Sequence, residues 1–371
     1  MPHAGGSGLS RVRQPGRTRG NHALRRTSYG ERMTPPAEAP ERDTRFRAPN
    51  GNPGHGLTDA QRCVAEFHEA FGHPTERLPG ALNESRARAR EAWMREELDE
   101  FLAASDLIGQ ADAMVDLIYF ALGTLVELGV DGGQLFEVVH EANMKKLGPN
   151  GKPLVREDGK IAKPAGWVDP TATLRNRLVE EHSKYKLVVA DDLGCVAASL
   201  AMVAHATGFP EYSRERFAQV LPPVVEPPEG EDAADFSRFG VVMQIGSLDP
   251  YLEAAGIPLI DDFLGIEFIS EMSFPDVLRE ALARYDALAV GFDASFVYPD
   301  APNFGHFATV ADIDSARALL VDPGPLTAGL ASVKLDDLFT AIRAKKDGLH
   351  RFKVRPGQTP RKSPTVDEEV A

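Results

Sequence analysis

The chain has 371 residues, 43% of them hydrophobic, which is enough for two ordinary domains and too apolar for disorder throughout. Its formal net charge is −14 although the first 32 residues carry seven Arg against one acid, so the remainder is strongly acidic and is not expected to bind nucleic acid or an anionic membrane. No run approaches the roughly eighteen uninterrupted apolar residues of a membrane span, and two widely separated cysteines, Cys63 and Cys195, make no disulfide framework, so a reducing cytoplasm is the expected location.

Residues 1–55 are rich in Gly, Pro and Arg without periodicity and are expected to be disordered. Thr58 followed by Gln61 has the form of a capping box, after which Val64, Phe67 and Phe71 recur at helical spacing until Gly72 and Pro74. Cys63 falls among those apolar positions and reads as core. Further helices are expected at about 83–104, 110–128 and 133–146, linked by short Gly-containing connections. Residues 56–170 thus read as an all-α four-helix bundle with a trailing Lys, Gly and Pro rich loop. A charged helical linker occupies 171–183. Beyond it, β-type runs at 186–190, 287–292, 307–311 and 318–321 alternate with helical segments such as 197–207 and 274–285, giving an α+β domain over 184–355. A Pro and acid rich surface loop is expected at 222–235 and a disordered tail at 356–371.

The second helix carries Glu96-Glu97-Leu98-Asp99-Glu100, and at about 100° per residue Glu96, Glu97 and Glu100 share one arc beside the apolar stripe of Met94, Leu98, Phe101 and Leu102. The third helix is apolar nearly all round, as a central bundle helix would be, yet holds Asp112 and Asp116 one turn apart. Carboxylates on such a surface call for a cation, because an unpaired buried carboxylate is very costly. The nearby arginines Arg88 and Arg90 are one source. Facing rows of acids with Glu97, Glu100, Asp112 and Asp116 as ligands form a hard-oxygen pocket suited to Mg²⁺ or Mn²⁺. The alternative, a solvated acidic helix face, is the common fate of a lone acidic run.

The blocks REELDEF (95–101), DAMVDLIYFALGTLVELG (112–129) and EANMKKL (141–147) resemble the all-α nucleotide pyrophosphohydrolases of the MazG-like and phosphoribosyl-ATP pyrophosphohydrolase-like group. The resemblance implies that Glu97, Glu100 and Asp116 hold the metal. It also implies that the enzyme cleaves an α–β phosphoanhydride to a monophosphate and pyrophosphate. The family's remaining acid falls at Ala113, so Asp112 stands as its substitute one residue earlier. Glu96 is placed to orient or deprotonate the attacking water. Asn143 and Lys146 match a pair that binds substrate, and assembly through the helical domain is expected, as in relatives that form dimers or tetramers. Which nucleotide is cleaved is left open, phosphoribosyl-ATP included.

In the second half Cys195 begins an apolar helix, where the helix N-terminus favours a thiolate. His306 begins a strand and Asp322 ends the next, the order of a thiol, base and orienting acid. These blocks resemble the papain-like peptidases that remove double-glycine leader peptides, which implies a Cys195, His306 and Asp322 triad. The segment 184–193 has neither Gln nor Asn to complete an oxyanion hole and ends in Asp191, Asp192 and Leu193. Two roles are therefore expected to compete for this half: a cysteine peptidase or amidase regulated by the helical domain, or a non-catalytic module that binds a peptide.

Overall fold

Asn83 accepts a hydrogen bond from the Arg86 amide and so caps α2 (Glu84–Ala103), while Asp106 accepts from the Gly109 amide and starts α3 (Leu107–Leu128) three residues before its expected beginning. Gly129 closes α3 in the left-handed region at φ 68°. The computed structural model describes residues 53–148, 151–190, 194–221, 246–299, 301 and 304–360. The expectations for residues 1–52, the 222–235 loop, Asp191, Asp192 and residues 361–371 lie outside the described residues. The first helix, α1 (Pro53–Phe71), starts ahead of Thr58. The anticipated capping box is therefore absent, and the Thr58 hydroxyl instead donates to Asp131 at the start of α4 (Gly132–Met144).

In this helical part α2 packs on α3, and α1 packs on both α3 and α4. Burial departs from the sequence pattern in three places. Cys63 is exposed, because α1 turns Val64 and His68 inward while Phe67 and Phe71 stay at the surface. The third helix is not enclosed: Val115 and Ile118 are 60% and 53% exposed, and Leu102, Leu107 and Ile108 at the α2–α3 corner are largely bare. Asp112 and Asp116 are consequently exposed as well, not buried on a central helix.

A helix, α5 (Thr171–His182), packs against α4 and leads into the second part. There α6 (Cys195–Ala206), α7 (Arg214–Val220) and α8 (Asp249–Ala254) precede the strands β1 (Leu259–Gly265), β2 (Ala287–Asp293), β3 (Gly305–Ile313), β4 (Arg317–Asp322), β5 (Gly329–Lys334) and β6 (Gly348–Val354), with α9 (Phe274–Arg284) before β2 and α10 (Leu335–Lys345) between β5 and β6. The strands form one antiparallel sheet in the order β1-β6-β2-β3-β4-β5. Every residue of β2 is buried, because apolar layers cover both faces of the sheet, α6 on one side and α9 with α10 on the other. Residues 186–190, expected as a strand, run outside the sheet; the Ala190 amide donates to the Pro323 carbonyl at 2.7 Å. No single helix among the described residues is long and apolar enough to cross a membrane.

The α1–α2 loop ties the two parts together. Arg77 donates to Asp312 and to the Ile313 carbonyl, both at 2.6 Å, and Arg317 pairs with Glu76. The backbone of Gly80 lies so near Ser332 that a Cβ there would stand 3.3 Å from the serine Cβ.

Candidate functional site

Two constellations bear chemistry, one in each part. On α2, Glu97 turns toward α3 and is 8% exposed, whereas Glu96 and Glu100 border an open groove on the outer side of the helix together with Arg95 and Asp99. Asp112 and Asp116 face Glu97 from α3 closely enough for their charges to act on it. Cover by neighbouring groups, and then the charges of Glu100, Asp116, Glu96 and Asp112, hold the Glu97 carboxyl above the usual carboxylate range. The Glu97 Oε2 atom is buried without a hydrogen-bond partner. None of the five acids forms an ion pair among the described residues. Arg88 pairs with Glu84 and Arg90 with Glu127, so neither arginine supplies the neutralising charge.

An orphaned carboxylate oxygen inside a field of four further carboxylates is a donor set that fits a hard divalent cation. Among the described residues no three such side chains are drawn together tightly enough to enclose an ion. The acids form an open wall, with Glu97 at its centre.

Asn143 is brought together with Lys146 but not with the acids. The Lys146 ammonium donates to the Asn143 side chain at 2.7 Å and lies over the Trp167 ring, as does that of Lys163. The Trp167 indole N–H donates to the Ala142 carbonyl, which fixes this loop against the end of α4.

Further along the α2–α3 seam lies a network that the sequence reading missed. Glu127, 2% exposed, receives Arg86 through two hydrogen bonds at 2.6 and 2.7 Å and also receives Arg90, which in turn contacts His68 at 3.1 Å. Burial alone would raise the Glu127 carboxyl, but the two guanidinium groups prevail and hold it below its ordinary value. A single acid in the apolar run LVEL, with Arg86 and Arg90 one turn apart on α2, was the available signal.

In the second part, the Ser199 hydroxyl donates to the Phe307 carbonyl at 3.2 Å and pins α6 to β3. Cys195, one turn before Ser199, then meets His306, the residue before Phe307. The His306 Nε2 lies 2.9 Å from both Asp322 oxygens, which leaves Nδ1 for the thiol. Asp322 is fully buried and also accepts from Tyr298, from the Gly324 amide at 2.6 Å and from Thr327 at 2.8 Å. Burial works against a charged imidazole, but hydrogen bonds and charge from Asp322 and Cys195 outweigh it and push His306 up to about 10. A second buried histidine, His350, is held by Asp261 at 2.8 Å and Asp347 at 3.3 Å with no solvent exposure, so both its nitrogens serve the fold.

Residues 64–143 match the phosphoribosyl-ATP pyrophosphohydrolase family. This segment contains all five acids, the Glu127 network and Asn143. No curated protein matches the chain significantly.

Proposed function

We propose that the helical part is a divalent-metal-dependent nucleotide pyrophosphohydrolase. The observation that carries the reading is Glu97, a buried carboxylate with an orphaned oxygen and four acids acting on it, inside the segment that matches a pyrophosphohydrolase family. Glu97, Glu100, Asp112 and Asp116 would hold Mg²⁺ or Mn²⁺, and the bound ions supply charge neutralisation on the polyphosphate and an oriented water. Glu96, exposed at the edge of the wall, accepts the proton of the attacking water. Asn143 and Lys146 are preorganised by their mutual hydrogen bond for the phosphates or the base of the substrate. The bare apolar residues along α2 and α3 support assembly of two or more copies through this face. Such an enzyme works in the cytoplasm on nucleotides, phosphoribosyl-ATP among them.

The test is a nucleotide panel with Mg²⁺ and Mn²⁺ on the full chain, including phosphoribosyl-ATP, with pyrophosphate detected as phosphate after added pyrophosphatase. Turnover that requires metal and is lost in Glu97→Ala and Asp116→Ala is expected. Release that persists without metal and in both variants refutes the reading.

A second reading concerns the sheet part, and the convergence of Cys195, His306 and Asp322 favours it. It is a papain-like thiol site acting on a peptide or amide, with His306 as base and Asp322 as the acid that orients it. A peptide-binding module without turnover uses the same part of the chain and predicts saturable peptide binding that survives Cys195→Ala.

A further inference from the structure

Among the described residues four donors reach the Asp322 carboxylate, and they divide by origin. His306 stands on the neighbouring strand β3, and its Nε2 is shared between both oxygens at 2.9 Å. The Gly324 amide at 2.6 Å and the Thr327 hydroxyl at 2.8 Å come from the turn that follows β4, and both serve Oδ1. That side is closely packed as well, since a Cβ on Gly324 would stand 2.9 Å from Oδ1 and 3.3 Å from the His306 Cε1. Oδ2 receives the hydroxyl of Tyr298, which lies in the connection between β2 and β3. Apart from His306 itself, one side chain from a separate segment therefore holds this oxygen.

A carboxylate gripped at one oxygen can still turn about its Cβ–Cγ bond, a torsion with broad preferences. Such a turn would carry Oδ2 away from the His306 Nε2 and swing Nδ1 off the thiol. Asp322 is fully buried, so solvent does not take the place of a missing donor. Tyr298 also bears on the imidazole directly: its ring, with those of Phe292 and Phe304, meets the His306 ring edge-on, at 6.3, 5.3 and 5.9 Å between centroids. Tyr185 gives the contrast. Its buried hydroxyl bonds only to the backbone of Leu288 and Val310, at 3.1 to 3.3 Å, and serves the sheet alone. We infer that Tyr298 is a positioning residue of the thiol centre: its hydroxyl fixes Asp322 Oδ2, which keeps the His306 Nε2–H shared between both oxygens and Nδ1 aimed at Cys195. The inference rests on the reading of Cys195, His306 and Asp322 as a thiol site and extends it by a fourth side chain.

The test uses the full chain and its Tyr298→Phe, Tyr185→Phe, Thr327→Val and His306→Ala variants. Each is alkylated with iodoacetamide at pH 7, and mass spectrometry reads the Cys195 rate against the exposed Cys63. Tyr298→Phe keeps the ring at a partly exposed position, so the fold is retained. It should slow Cys195 about tenfold, the lower limit for one hydrogen bond to a charged group. Thr327→Val leaves the Gly324 amide on Oδ1 and should slow it less, while Tyr185→Phe should lower the melting temperature and leave the rate unchanged. In proton NMR the far-downfield His306 Nε2–H should be sharp in the parent and in Tyr185→Phe and broadened in Tyr298→Phe. A Tyr298→Phe protein with the parent's rate and a sharp proton overturns the role of Tyr298, and the thiol reading stands as long as His306→Ala slows Cys195. A loss in Tyr298→Phe that Tyr185→Phe matches marks a general loosening of the sheet and overturns the role too. A Cys195 rate that His306→Ala leaves unchanged removes the thiol reading and the role of Tyr298 with it.

Discussion

Glu97 on α2 and Asp116 on α3 face each other across the helix seam with like charges, and cover by neighbouring groups, then the charge of Glu100 and this repulsion from Asp116, keep the Glu97 carboxyl above its ordinary range. The sign follows directly. A carboxyl whose folded value exceeds its unfolded value, about 4.3, opposes folding once the pH exceeds that unfolded value, and the penalty persists at neutral pH. Glu97→Gln should therefore raise the melting temperature of the metal-free protein by a degree or more at pH 7 while lowering metal-dependent turnover by at least about 100-fold. Mg²⁺ should raise the melting temperature of the parent and not of the variant. Calorimetry with and without EDTA decides it, and a variant that is both less stable and still active would speak against the assignment.

The Glu127 network gives the opposite sign. Glu127→Gln leaves Arg90 buried without its counter-charge and should cost about 3–5 kcal/mol in denaturant unfolding. Gly123→Ala on α3 is a finer probe. On an exposed helix face it would gain about 1 kcal/mol, but here the new Cβ would stand 2.8 Å from the His68 Nε2 and 3.1 Å from the two Arg90 terminal nitrogens. A net loss of stability is expected, and a net gain would show that the pair can move aside.

At the thiol site, His306 keeps its proton up to about pH 10, so Cys195 has an adjacent cation throughout the neutral range. Cys195 lies against this cation and should be alkylated by iodoacetamide at pH 7 faster than the exposed Cys63, and Asp322→Asn or His306→Ala should each slow it. Mass spectrometry separates the two cysteines, and a Cys195 rate that neither substitution changes would refute the contact.

His350 sets a pH limit on the fold. Burial opposes its charge, yet Asp261 and Asp347 prevail and push it up to about 9. A raised imidazole contributes its stability in full below the unfolded value of about 6.5 and loses it as the pH rises through 9, a loss on the order of 3 kcal/mol. Melting temperature should fall between pH 7 and 9.5, and His350→Gln should reduce that slope, which His306 shares, at a lower overall stability.

The sequence disclosed β2 because an unbroken apolar run records burial on both faces, but helical periodicity did not separate Glu97, which turns toward α3, from Glu96 and Glu100, which border the outer groove with Asp99. It concealed β1, where Asp261 and Asp262 interrupt the apolar pattern; only the fold brings His350 to Asp261. The exposure of α3 was equally hidden. Apolar content tells that a face wants cover but not what supplies it. Phe67, His73, Trp93 and Tyr119 come together around one cavity from three helices and a loop, and no local spacing announces such a meeting.

The β3–β4 hairpin offers a last consequence. Near one end it holds His306 and Asp322, and near the other Asp312 and Arg317 grip the loop that follows α1. The ladder between the two strands carries a bulge between Val310 and Asp312, beside the residue that Arg77 grips. The thiol site and the helical part therefore share one hairpin as well as one chain, and loosening the Arg77 and Arg317 clasps would be felt on the same two strands that hold His306 and Asp322.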